Sequence, residues 1–83
     1  MGKTGYFPGQ IVKVIKADRG TMQSHKLVDY CFPVLHMSRD LKDHVNLHIK
    51  KHPFFSDAEW TNKDGGYIIA ASCVELVGYF EIW

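Results

Sequence analysis

Apolar and polar positions alternate, or apolar ones cluster in short β-branched runs, at both ends of this chain, and the middle reads two ways. After Phe7-Pro8-Gly9, residues 10–17 carry Ile11, Val12, Val14 and Ile15 interrupted by Lys13 and Lys16, and the run stops at Asp18-Arg19-Gly20, a turn signal. This predicts a first strand. Residues 27–37 are again extended in character, but Pro33 cannot donate a ladder hydrogen bond, so this second strand is expected to be bent, broken or at an edge near that point. Asn62-Lys63-Asp64-Gly65-Gly66 is a turn, residues 67–71 a strand, and residues 74–83 another. In that last strand the period of two puts Val74, Leu76, Phe80 and Ile82 on the core face and Glu75, Tyr79, Glu81 and Trp83 on the other.

Residues 38–52 fit a helix at their ends and a strand in their interior. Ser38 is a good N-cap, Asp40 and Asp43 lie at the positive end, Lys50, Lys51 and His52 at the negative end, and Pro53 enforces a stop. Against that, Val45, Leu47 and Ile49 alternate with His44, Asn46, His48 and Lys50. The agreement of the end signals tips the reading towards a helix with a Leu41, Val45 and Ile49 stripe, and Ser56-Asp57-Ala58-Glu59 fits a capping box for one further turn. The expected fold class is therefore β-rich α+β, a small barrel or strongly bent antiparallel sheet with one helix in the middle.

With 83 residues there is material for one hydrophobic core, so residues 1–83 are read as a single domain without repeats or linkers. Apolar residues at 46% and charged residues at 23% are the balance of a folded protein. A formal charge of +1 gives no overall pull towards nucleic acid or an anionic membrane, although protonating all five histidines would raise it to +6. Cys31 and Cys73 each sit in apolar surroundings and are expected to be reduced, small buried hydrophobes. No apolar run approaches the roughly 20 residues of a membrane span, and the N-terminal residues lack the apolar stretch of a signal peptide, which predicts a cytoplasmic protein with no membrane partner.

The order of these elements resembles the Src-homology-3-like and KOW-like small barrels. Pro8-Gly9-Gln10-Ile11-Val12-Lys13-Val14 is similar to the opening strand of that group, and Gly66-Tyr67-Ile68 followed by Val74-Glu75-Leu76-Val77 to its closing pair around a tight turn. The chain departs from the peptide-binding members in having Ile69-Ala70-Ala71-Ser72, with no Pro, before the final strand, so recognition of Pro-rich ligands is not expected. In size and style it resembles the small proteins that bacteriophages encode to dock on and inhibit host enzymes that handle nucleic acid.

Three constellations carry candidate chemistry. His44, His48 and His52 are spaced by four; on a helix His44 and His48 could hold a metal ion, with Asp40 or His52 as a third ligand, whereas on a strand four residues span about 13 Å and they could not share one. Lys13, Lys16, Arg19, Lys26, Lys50 and Lys51 could form a basic surface for single-stranded nucleic acid, with Tyr6, Phe7 or Trp60 for stacking. Trp60, Tyr79 and Trp83, rimmed by Glu75, Glu81 and Lys63, could anchor a protein partner. Of Phe54, Phe55 and Trp60, two are expected to fold back over an open end of the sheet. A set of Cys31, His36 and Asp40 could be drawn as hydrolytic, but neither Cys lies where a thiolate would be stabilised, and no Gly-rich phosphate loop precedes a helix. These readings converge on a non-enzymatic protein-binding module, monomeric or homodimeric, that needs no cofactor and acts by blocking its partner, with nucleic-acid binding and His-based metal binding as the alternatives.

Overall fold

A computed structural model describes residues 5–20 and 23–79. Five strands, β1 (Gln10–Val14), β2 (Cys31–Met37), β3 (His44–Leu47), β4 (Tyr67–Ala70) and β5 (Val74–Tyr79), form one open antiparallel sheet in the order β4-β3-β2-β1-β5. The second strand holds the sheet together. Its first half pairs with β1, Ile11 opposite Pro33 and Lys13 opposite Cys31, and its second half pairs with β3, Val34 opposite Leu47 and His36 opposite Asn46, with a register shift between. Pro33 stands at the changeover, and although it has no N–H to give, its carbonyl accepts from His48 N at 2.8 Å. The bend expected there from the sequence is where the strand changes partner.

No α-helix occurs among the described residues; the non-strand elements are 3-10 turns at Ser24–Leu27, Ile49–Lys51, Pro53–Phe55 and Ala71–Cys73. The helix expected over 38–52 is thus replaced by a turn, β3 and a second turn. Ser38 does cap: its Oγ accepts from Asp40 N and Leu41 N at 3.3 and 3.0 Å. The cap serves one turn only, because Asp43 enters the left-handed region (φ 60°) and directs the chain into β3. Pairing on both sides then buries Val45 and Leu47, with Ile49 following, whereas Leu41, part of the helical stripe, is exposed. The capping box at 56–59 likewise makes no helix: the Ser56 hydroxyl donates back to Pro53 O.

Val12, Val14, Phe32, Val34, Val45, Leu47 and Ile69 project from the strands into one core, which Leu27, Ile49 and Cys73 complete from the turns. Cys73 is buried as expected, but Cys31 is exposed, because it precedes the core-facing Phe32 and so points out of the sheet. Leu76 also leaves the expected core: it is 42% exposed on the sheet edge, where β5 bulges so that Val12 opposes Leu76 and Ile11 opposes Gly78, with Val77 extra between them. The remaining core-face positions, Phe80 and Ile82, lie outside the described residues. Among the described residues no helix is long and apolar enough to cross a membrane.

Two loops are pinned across the sheet by side chains. The Asp18 carboxylate accepts from Gly20 N and, across the molecule, from Ala70 N of β4, both at 2.9 Å, tying the β1–β2 connection to the far edge strand. The Asn62 Oδ1 accepts from Asp64 N at 3.0 Å and Gly66 N at 2.9 Å, folding the 62–66 turn onto β3. Gly66 lies so close beneath that turn that an added Cβ would press on Asn46 Oδ1 and come within 2.7 Å of Leu35 Cδ1 and 2.8 Å of the Leu47 carbonyl oxygen. Gly66→Ala should therefore lower stability by about 2 kcal/mol through overpacking. Gly78→Ala, whose Cβ would meet nothing within 4 Å, should change it by less than about 0.5 kcal/mol. Urea midpoints of the two variants against the parent check the contrast.

Candidate functional site

Past β3 the chain does not leave the sheet but continues beside the first half of β2, as the bond from His48 N to Pro33 O requires. This places the 3-10 turn Pro53–Phe55 against the start of β2 and assembles a ladder of rings. Phe32, fully buried, meets Phe55 at 5.6 Å between centroids; Phe55 meets Tyr30 edge-on at 5.4 Å; Tyr30 meets His52 at 5.2 Å and Phe54 at 5.7 Å. Edge-to-face pairs at these distances are favourable and fix ring orientation. On the other side Phe55 continues to Trp60 at 6.2 Å and Trp60 to Tyr67 at 5.2 Å. His52 is oriented by its own turn: its Nδ1 accepts from Phe54 N at 3.1 Å, so in the neutral ring the proton sits on Nε2.

The ladder ends in solvent at Phe54, 73% exposed, while Phe55 and Trp60 pack against the core. Two of the three aromatic residues of this segment fold back and the third is presented. Beside it lies an open groove of about 490 Å³ on the outward face of the sheet. Ile11, Cys31 and Pro33 of β1 and β2 line it together with Tyr30 and Pro53, and Lys51, His52 and Asp29 supply its polar edge. Gly78 opposes Ile11 on β5 and adds no side chain over it.

The sequence-derived protein-binding set divides. Trp60 is half-buried between Tyr67 and Phe55, with Lys26 Nζ 5.8 Å from its ring centroid, so it is a packing residue in the described fold. Tyr79, 60% exposed, and Glu75 lie along the edge strand β5, Glu75 directly opposite Lys13. Glu81 and Trp83 lie outside the described residues.

The six basic residues are dispersed. Lys51 lines the groove and Lys13 is paired with its residue Cys31, but Lys50 turns to Gly65, Lys26 covers Trp60, and Lys16 and Arg19 are exposed on the β1–β2 connection. The three histidines part company on the strand geometry. His44 Nδ1 contacts Lys42 O at 2.8 Å and its Nε2 lies 3.9 Å from Asp18 Oδ2; His48 lies against Gly65; His52 stacks in the ladder. Among the described residues no group of three or more His, Cys, Asp or Glu is placed to hold a metal ion. Cys31 is likewise parted from His36 and Asp40, which line a second cavity on β2–β3–β4.

Sequence reasoning missed Tyr30, Ile11 and Pro33 as site residues, and nothing local marks them: they become neighbours only through the β1–β2 register and the return of residues 51–53. Because Phe54 has little to lose on truncation, Phe54→Ala should cost less than about 1 kcal/mol, whereas Phe55→Ala, in the middle of the ladder, should cost about 2 kcal/mol or more. Thermal or urea unfolding of the two variants measures the difference. Compared with known protein families, curated proteins and solved structures, the chain has no match.

Proposed function

We propose that this chain is a non-catalytic protein-binding module that docks by the groove beside Phe54 and acts by covering the partner's surface. The observation that carries the reading is a large aromatic side chain held out in solvent by a ladder of packed rings, next to a concave, largely apolar surface. A rigid aromatic anchor loses little conformational freedom on binding, and an apolar pocket with a charged edge is the anatomy of a binding hot spot. The edge strand β5 extends this surface with exposed Leu76, Val77 and Tyr79. The small-barrel reading is supported by the strand order, by a β2 that serves both halves of the sheet, and by the 3-10 turn between β4 and β5.

Phosphate-driven binding of nucleic acid is less well supported, since of the six basic candidates only Lys51 lines the groove. The two modes respond oppositely to salt: counterion release makes phosphate binding fall steeply between low and high salt, and an apolar interface is largely indifferent.

Affinity capture from nuclease-treated bacterial lysate, washed at about 0.15 M and 1 M salt, checks the proposal with the parent and with Phe54→Asp, whose solubility and unfolding midpoint are measured alongside. A protein partner that survives the high-salt wash and falls at least tenfold with Phe54→Asp is the expected result. Retention unaffected by Phe54→Asp, or recovery only of nuclease-sensitive material lost at 1 M salt, would sink the reading.

A further inference from the structure

The second cavity, about 430 Å³, lies on the outward face of β2–β3–β4 and is built differently from the groove. Its floor is a row of three side chains in strand register, His36 of β2 opposite Asn46 of β3 and Asn46 opposite Ile68 of β4. Its walls are the capped turn after Ser38 and the turn that Asn62 holds together.

Asn46 is 3% exposed, and its two amide atoms are placed differently. Its Oδ1 accepts from Asn62 Nδ2 at 3.2 Å. Asn62 is itself fixed in orientation, since its Oδ1 takes two backbone amides, so the Asn46 amide cannot be reversed without losing that bond. The Nδ2 of Asn46 meets no acceptor among the described residues, and the side chain lines the cavity. Beside it, His36 Nδ1 is 2.8 Å from the Met37 carbonyl oxygen, which can only accept, so in the neutral ring the proton is on Nδ1 and Nε2 is an acceptor. Directly opposed residues on antiparallel strands have Cβ atoms about 5 Å apart, which makes the Asn46 amide and the His36 ring neighbours on the floor, with Ile68 next in the row. At the mouth each wall carries one cation, Arg39 and Lys63, next to one carboxylate, Asp40 and Asp64.

We propose that this cavity binds a nucleotide, with the base edge on Asn46 Nδ2 and His36 Nε2, Ile68 packed beside the base, and the phosphate between Arg39 and Lys63. Every nucleobase presents an adjacent acceptor and donor on one edge, the complement of this floor. An inorganic anion would leave the floor unused, and a neutral amide would leave both cations unused; a nucleotide engages both, and Asp40 and Asp64 are available to its sugar hydroxyls. The volume suits one such unit. This site is separate from the docking groove and does not depend on it.

The test is an amide chemical-shift titration of the full chain with each of the four nucleoside 5′-monophosphates, with inorganic phosphate as the control. Saturable shifts confined to residues 36–40, 46 and 62–68 with at least one nucleotide, absent with phosphate, are expected. His36→Phe should weaken that nucleotide at least tenfold and Lys63→Ala severalfold; Lys63 is exposed, so its loss does not threaten the fold. A six-residue single strand separates the sources of the same chemistry: tighter binding by the monophosphate assigns a free nucleotide, and tighter binding by the strand through the same amides assigns a strand terminus. No saturable shift at millimolar nucleotide, equal shifts with phosphate, shifts at the Ile11 groove instead, or unchanged affinity in both variants each overturn the proposal.

Discussion

The fold depends on one strand having to satisfy two neighbours that lie in different directions. β2 gives its first three residues to β1 and the rest to β3, and the turnover falls on Pro33 and the irregularity that follows it. A flat five-stranded sheet of this size would have one buried face and nothing to cover it. Bending at β2 folds the sheet over itself, so that Val12, Val14 and Phe32 from one half meet Val45, Leu47 and Ile69 from the other. The core is thus made without a helix, and the 3-10 turns need only close its ends.

Closing those ends falls to polar side chains rather than to more apolar mass. The Asp18 carboxylate reaches the Ala70 amide on the far edge strand, fifty-two residues away in sequence. Asn62 gathers the amides of its own turn and sets that turn down on Asn46. Each replaces a missing ladder bond with a charge-assisted or amide hydrogen bond, which holds a long loop at fixed geometry where a purely apolar contact would allow it to slide. The loop that Asn62 holds becomes one wall of the second cavity.

What could be read from the sequence follows from what is local. β1, β4 and the beginning of β5 announce themselves by β-branched residues bounded by turn signals, and Pro33 announces the bend because its missing N–H is a property of the residue itself. The helix signals at 38–52 are real but local: Ser38 does cap a turn, but capping stabilises whatever turn follows it, and continuation depends on whether Val45 and Leu47 gain more from strands on both sides than from a helical stripe. Only tertiary pairing decides that. The same limit applies to the sites. An exposed aromatic among Phe54, Phe55 and Trp60 was foreseeable from crowding, but which one is presented depends on Tyr30, more than twenty residues earlier. The cavity floor has no sequence signature at all, since His36, Asn46 and Ile68 meet only through register.

The bend also explains why the outward face carries two concavities of opposite character. Side chains on a strand alternate, so every residue committed to the core leaves its neighbour on an outward face, and the bend separates that outward face into two. On the β1–β2 half the outward residues are Ile11, Cys31 and Pro33, and the returning segment at 51–53 makes them an apolar groove with an aromatic rim. On the β2–β3–β4 half they are His36, Asn46 and Ile68, and the two hydrogen-bonded turns enclose them as a polar cavity. Apolar residues in a half-open groove favour a broad partner that removes area from water. A fixed amide whose donor faces the cavity is matched by a ligand that presents an acceptor at one position. The same strand geometry that hides the core therefore sorts the remaining outward side chains into one apolar groove and one polar cavity.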